Sequence, residues 1–167
     1  PETVKKFVAL GVDVCVEKGA GTTASMSDAA FREAGATIAD DVASALDLAD
    51  LVLKVQRPMI EGEKLNELAN LKRGQVLVCQ MSALSEPPFV AALAASGVTG
   101  FALELMPRIA RAQSMDILSS QSNLAGYKAV LDAAAEFGRA FPMMMTAAGT
   151  IPPARVLVMG VGVAGLQ

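Results

Sequence analysis

Five short apolar runs, VDVCVE, ATIA, ADLVLKV, GQVLVCQ and VTGFALE, punctuate the first two thirds of the chain. Segments of helical character lie between them, so strand and helix alternate at intervals of roughly 25 residues. Strands of this kind, apolar on both faces, need cover on both sides. The alternation therefore predicts a parallel sheet with helices packed on its two faces and right-handed crossovers.

The expected helices run from Glu2 to Leu10, closed by Gly11; from an N-cap at Ser27 to Gly35; from Asp41 to Leu46; from Glu61 to Leu71; and from Pro87 to Ala95, closed by Gly97. Ser27 has the side chain that accepts the first free helical N–H groups, and proline is tolerated in a first turn. After Ala102 the pattern changes. MPRIARAQ reads as a loop, Ser114 to Gly138 as one long helix with Ser114 as its N-cap, and FPMMMTAAGTIPPA as irregular or hairpin-like. RVLVMG then reads as a further strand. This sets the expected organisation: an α/β domain at 1–113, a connecting helix at 114–138, and the start of a second α/β domain at 139–167.

Composition narrows the function. A chain that is 53% hydrophobic and 19% charged can build a sizeable core, and with aromatics at 4% that core must be aliphatic. A net charge of -3 without clustered Lys/Arg argues against nucleic acid. There is no histidine, which removes the commonest general base and the commonest metal ligand, so no metal site is expected. The longest apolar stretch is broken by Ser96, Gly97, Gly100 and Glu104, so no membrane span is expected. Cys15 and Cys79 sit in apolar runs and read as buried free thiols in a reducing compartment, a disulfide being the less favoured reading.

Two segments carry chemistry. RVLVMGVGVAGLQ places Gly160, Gly162 and Gly165 as G-x-G-x-x-G directly after a strand pattern. The first glycine permits a tight turn, the second lets the backbone approach a pyrophosphate, and the third lets helix and strand pack closely. The phosphate would sit on the N-terminus of a helix beginning there. A glycine-rich turn without ligand is the alternative. The acidic residue that separates NAD from NADP falls some 20 positions further on, outside this chain. We expect the chain to be a piece of a longer protein lacking residues at both ends.

The second segment is Met106 to Asp116, which gathers Arg108, Arg111, Gln113 and Asp116 at the entrance to the long helix. A first-turn aspartate complements the helix dipole, and an Arg108–Asp116 surface ion pair would be ordinary. Along the helix, however, Asp116, Ser119, Ser120, Asn123 and Tyr127 recur at steps of three and four and share a face. Such a polar stripe is solvated or turned toward a ligand. On a connector between two sheets it would border an interdomain cleft, a common binding place.

PRIARAQSMDILSS, NLAGYKAV and EFGRAFPMMMTAAGTIPPARVLVMGVGVAGLQ closely resemble the NAD(H)-binding component of proton-translocating NAD(P) transhydrogenase, within the alanine dehydrogenase/transhydrogenase superfamily. EKGAG and ADLVLKVQRPM are similar to both branches. The resemblance implies a Rossmann-like N-terminal domain of the flavodoxin or formate-dehydrogenase type, linked by a long helix to the start of a second, truncated Rossmann NAD-binding domain. It implies NADH bound here, NADP(H) on a partner component, hydride transfer between them, and coupling to proton movement by a membrane component. It also implies a homodimer, located in the cytoplasm and held at the inner membrane through partner subunits.

Residue by residue, Arg108, Gln113 and Asp116 match the family's nicotinamide-side loop. Gln113 would orient the two nicotinamides, while Arg108 and Asp116 would bind the carboxamide and nearby ribose. Ser119 matches a further nicotinamide-side contact. Gly160, Gly162, Val163, Ala164 and Gly165 match the pyrophosphate turn. Hydride transfer between nicotinamides needs proximity and orientation and no proton shuttle, so the absence of histidine is no obstacle. The alternatives are an alanine dehydrogenase-like enzyme and a non-catalytic nucleotide-binding or assembly module. For the former, Lys54 stands where the family's lysine falls, but Gln80 occupies the neighbourhood of its histidine; Lys54 is expected to be a strand-end charge reaching solvent. Alone, without the rest of the second domain, the chain is expected to bind NADH weakly or not at all.

Overall fold

A computed structural model of the chain describes residues 1–47 and 49–167. They form two compact units, Pro1–Leu103 and Glu104–Gln167.

In the first unit, α1 (Glu2–Ala9) precedes β1 (Cys15–Glu17), α2 (Asp28–Glu33), β2 (Thr37–Ala39), α3 (Val42–Leu46), β3 (Leu51–Gln56), β4 (Val76–Gln80), α4 (Pro87–Ser96) and β5 (Thr99–Ala102). The helix starts follow from their side chains. Ser27 Oγ accepts the Ala30 N–H at 3.2 Å, and Asp41 Oδ1 accepts the Ser44 N–H at 2.7 Å, each satisfying an amide that has no partner inside its helix. Pro87 opens α4, where its missing N–H costs nothing.

All the strand pairs of this unit are parallel, in the Rossmann-like α/β manner the alternation predicts. They are hydrogen-bonded as two sheets, β1–β2 and β3–β4–β5. The central strand β4 is the spine of the larger sheet, with Leu77 opposite Val52 on one side and Gly100 on the other. Leu77, Cys79 and Phe89 are fully buried, and with Met81, Leu93 and Val98 they form an aliphatic core beneath α4. Burial of a side chain such as Leu77 or Phe89 contributes about 1.5–3 kcal/mol. Gln75 is the buried polar residue beside it. Its amide donates to the Leu46 carbonyl at 3.0 Å and the Ala49 carbonyl at 2.6 Å, and its carbonyl accepts the Lys72 N–H at 2.7 Å. Every polar atom of that side chain is thus used to tie the end of α3 to the start of β4.

Two expectations for this unit fail. Glu61 to Leu71 is not a helix; only Leu68–Asn70 forms a 3-10 turn. Gly62 has φ +92°, which breaks any helix, and two glutamates turn their carboxylates back onto the backbone. Glu63 takes the Ile60 N–H at 2.7 Å and Glu67 the Met59 N–H at 2.9 Å, so side chains satisfy the backbone in place of helical carbonyls. Cys15 is exposed, because β1 has a single hydrogen-bonded neighbour among the described residues; Cys79 is buried, and the two cysteines do not form a disulfide.

After β5 a 3-10 turn covers Leu103–Leu105; in the second unit a 3-10 turn at Ala110–Met115 takes up the end of the expected loop, and α5 (Ile117–Phe137) follows, ended by Gly138. An antiparallel hairpin, β6 (Met144–Thr146) and β7 (Gly149–Ile151), realises the hairpin reading. Residues 155–160 are not a strand. RVLVMG is apolar enough, but it finds no backbone neighbour to pair with among the described residues, and a strand exists only by pairing. None of the helices, among the described residues, is long and apolar enough to cross a membrane.

Candidate functional site

The start of α5 organises the site. The N-cap is Asp116, two residues later than the expected Ser114. Asp116 Oδ1 accepts the Leu118 N–H at 3.0 Å and the Ser119 N–H at 3.1 Å, and Oδ2 accepts the Ser119 hydroxyl at 2.7 Å. These bonds, the Ser119 hydroxyl first, hold the Asp116 carboxyl below the usual carboxylate range, with a further contribution from the Arg108 charge. Asp116 is therefore an anion through the whole neutral range. The 3-10 turn before it fixes the approach of Arg108 and Gln113, with the buried Ala112 as its anchor.

The other wall is the glycine segment. Gly160 has φ +98°, a conformation that disfavours side chains, and it turns the chain sharply. Gly165 packs so closely on the Gly160 carbonyl that a Cβ there would overlap its oxygen. The Leu166 N–H then donates to the Gly162 carbonyl at 3.1 Å, closing the turn. The helix expected to begin here is not formed; the segment is a turn.

Between the walls lies a cavity of about 490 Å³. Arg108, Gln113, Asp116 and Ser119 line it from one side, and Gly160, Gly162, Val163, Ala164 and Gly165 from the other. All nine residues singled out in the sequence thus meet in one groove, whose lining lies wholly within residues 107–165 and so belongs to a single unit. Ser119 lines the cavity and its next partner is Ser122, not Ser120, Asn123 or Tyr127. Ser120 is occupied along its own helix, its hydroxyl donating to the Ile117 carbonyl at 3.1 Å, and Tyr127 is exposed. Ser122 is legible in the sequence as the third residue after Ser119 on a helical face.

The groove offers both polar side chains and uncovered backbone. Arg108 and Gln113 line it with polar side chains that make no hydrogen bond among the described residues. The glycine turn packs on itself at Gly165, while Gly160 and Gly162, with open space where a side chain would stand, leave their backbone uncovered beside the cavity. Among the described residues no cluster of metal-ligating side chains occurs.

A second cavity, of about 260 Å³, opens in the first unit at the carboxyl ends of β3 and β4, lined by Gln56, Arg57, Met59, Glu63, Gln80 and Ser82. Arg57 is engaged there, its guanidinium donating to Glu63 at 2.7 and 3.0 Å. Lys54 does not reach solvent as a lone charge: its ammonium donates to Glu67 Oε1 at 2.7 Å with both side chains partly buried. Neither group is left free to polarise a substrate.

The family model for the alanine dehydrogenase/PNT N-terminal domain matches residues 1–125, and that for the alanine dehydrogenase/PNT C-terminal domain matches residues 129–167. The chain is 65% identical, over its full length, to the first part of the NAD(P) transhydrogenase alpha subunit of Rhodospirillum rubrum, covering 44% of that protein. It is 34% identical to an alanine dehydrogenase of Halomonas elongata over 99% of the chain and 43% of the relative. A solved transhydrogenase structure from Sinorhizobium meliloti superposes with a TM-score of 0.91 at 51% identity, over 99% of this chain and 48% of that one. The chain spans about half the length of the relatives it matches.

Proposed function

The chain belongs to the alanine dehydrogenase/PNT family, and from that premise we propose that it is the NAD(H)-binding part of a proton-translocating NAD(P) transhydrogenase. The observation that carries this reading is the cavity in which Arg108, Gln113, Asp116 and Ser119 face the glycine turn. The 65% identity to a transhydrogenase alpha subunit, against 34% to an alanine dehydrogenase, supports that branch of the family.

The bound nicotinamide dinucleotide supplies a hydride for NADP+ held on a partner component. The work of this chain is to bind and to aim. The glycine turn holds the pyrophosphate with backbone amides. Ser119, fixed by Asp116, and the Asp116 carboxylate itself take the ribose and carboxamide. Arg108 adds a cation that holds the same end. Gln113, with donor and acceptor on one planar amide, sets the ring against the partner's ring. Nothing here needs a proton shuttle, because hydride transfer between aligned rings depends on approach distance and orientation. Homodimerisation, association with NADP-binding and membrane components, and a place at the inner membrane through those partners complete the proposal.

One assay on the complete protein divides the readings. With the NADP-binding component present, NADH should reduce a nicotinamide analogue, and the rate should vanish without the partner. Reduction of NAD by L-alanine alone would instead make it an alanine dehydrogenase. NADH binding with neither activity would make it a non-catalytic nucleotide-binding module. The paired state of Lys54 and Arg57 in the first unit disfavours the amino-acid chemistry.

A further inference from the structure

Helix α5 carries a glycine well inside it, Gly126, where alanine would stabilise the helix better. Its position follows Ser119 and Ser122 at steps of three and four, so it continues the face that lines the cavity. A Cβ at Gly126 would run into the Ala164 peptide: it would overlap the carbonyl oxygen and stand 2.9 Å from the carbonyl carbon and 3.0 Å from the Cα. These are backbone atoms of the glycine turn, with no flexible side-chain end that can swing aside. Gly138, at the far end of the same helix, has open space around it. The crowding is therefore particular to the point where α5 meets the turn.

We infer that Gly126 is a positioning residue for the dinucleotide site, a bare patch of helix against which the Gly160–Gly165 turn is seated at the width one dinucleotide requires. The inference rests on the reading of the cavity as the NADH site. With any side chain at 126, Ala164 must retreat by about 1 Å to restore ordinary contact distance. Val163, Ala164 and Gly165 move with it, away from Ser119 and Ser122. The amides that meet the pyrophosphate are displaced, whereas Arg108, Gln113 and Asp116, which precede or open the helix, stay where they are. Affinity should suffer and alignment of the reacting ring should not.

The test is Gly126→Ala in the complete protein, with NADH affinity read by the fluorescence of the bound nucleotide, turnover measured with the NADP-binding partner, and thermal melting as the fold control. The Kd for NADH should rise tenfold or more, as small displacements of binding groups produce. Turnover at saturating NADH should stay within about twofold of wild type, and the melting temperature should not fall, since alanine favours the helix. An unchanged Kd, or a loss of turnover with Kd unchanged, overturns the inference. So does a melting temperature that drops together with affinity, because the contact would then hold the domain and not the ligand. A wild-type protein that itself binds no NADH defeats the reading of the site; a wild type that binds NADH no better than Gly126→Ala leaves that reading intact and overturns this inference alone.

Discussion

Ser119 gives Asp116 both of its donors: its hydroxyl reaches one carboxylate oxygen at 2.7 Å and its backbone N–H reaches the other at 3.1 Å. One aspartate thus starts helix α5 and presents a fixed negative charge to the cavity. The two roles separate by substitution. Asp116→Asn keeps an oxygen for the Leu118 and Ser119 N–H groups and discards the charge. It should leave the melting temperature nearly unchanged and weaken NADH binding about tenfold, the loss expected for a charged hydrogen bond made neutral. Asp116→Ala should lose both. An Asp116→Asn protein that binds NADH as wild type does would remove the carboxylate from the site.

Gln113 sits on the cavity wall in the 3-10 turn, with no intramolecular partner for its amide among the described residues. If it aims the ring and contributes little binding, Gln113→Ala should cut turnover by roughly a hundredfold while raising the Kd for NADH less than about threefold. Titration of bound NADH alongside steady-state turnover separates the two quantities. Equal losses in both would reassign Gln113 to simple binding.

How far these elements are readable depends on whether their cause is local. The Ser27 cap, the proline start of α4 and the hairpin are decided by a few adjacent residues, and the sequence announces them. The cavity is readable too, because a glycine motif and a loop of matched spacing mark its two walls. What stays hidden is non-local. Whether Glu63 and Glu67 extend a helix or fold back depends on Arg57 and Lys54 across the loop, which no window over 61–71 contains. RVLVMG has strand composition, yet its state depends on neighbours to pair with. The cap of α5 falls two residues beyond the expected position because Ser114 and Asp116 are equally good caps, and the 3-10 turn decides between them. Gly126 looks like a helix weakness until the Ala164 carbonyl is seen against it.

The Arg57–Glu63 pair makes a prediction about acid. The Arg57 guanidinium, and after it the Ile60 N–H, pushes the Glu63 carboxyl down to about 2 from its ordinary 4.5. A group depressed in the folded state stabilises the fold above its unfolded pKa, and that contribution disappears as pH falls toward the folded value. Stability owed to Glu63 should therefore be complete above pH 4.5 and drain away between 4.5 and about 2. Other carboxylates titrate there also, so the informative quantity is the difference between wild type and Glu63→Gln. Melting temperatures taken from pH 7 downward should converge as the window is crossed. Curves that remain parallel to pH 2 would show the pair contributes nothing to folding.

Phe89 joins this ion pair to the core. Its ring is fully buried beneath α4, and the Arg57 guanidinium lies 5.2 Å above its centroid. Phe89→Ala should cost about 3–5 kcal/mol, the usual loss when a packed aromatic leaves a cavity. Phe89→Leu, which keeps most of the volume, should cost about 1–2 kcal/mol. Part of the second figure belongs to the cation above the ring, because a leucine has no negative face to offer it. In an Arg57→Met background the Phe89→Leu penalty should shrink by about 0.5–1 kcal/mol, the range of such contacts near a surface. Denaturant unfolding of the four proteins of this cycle measures the coupling directly. Identical penalties in both backgrounds would mean that the guanidinium is held by Glu63, Glu86 and the Pro58 carbonyl and merely rests on the ring.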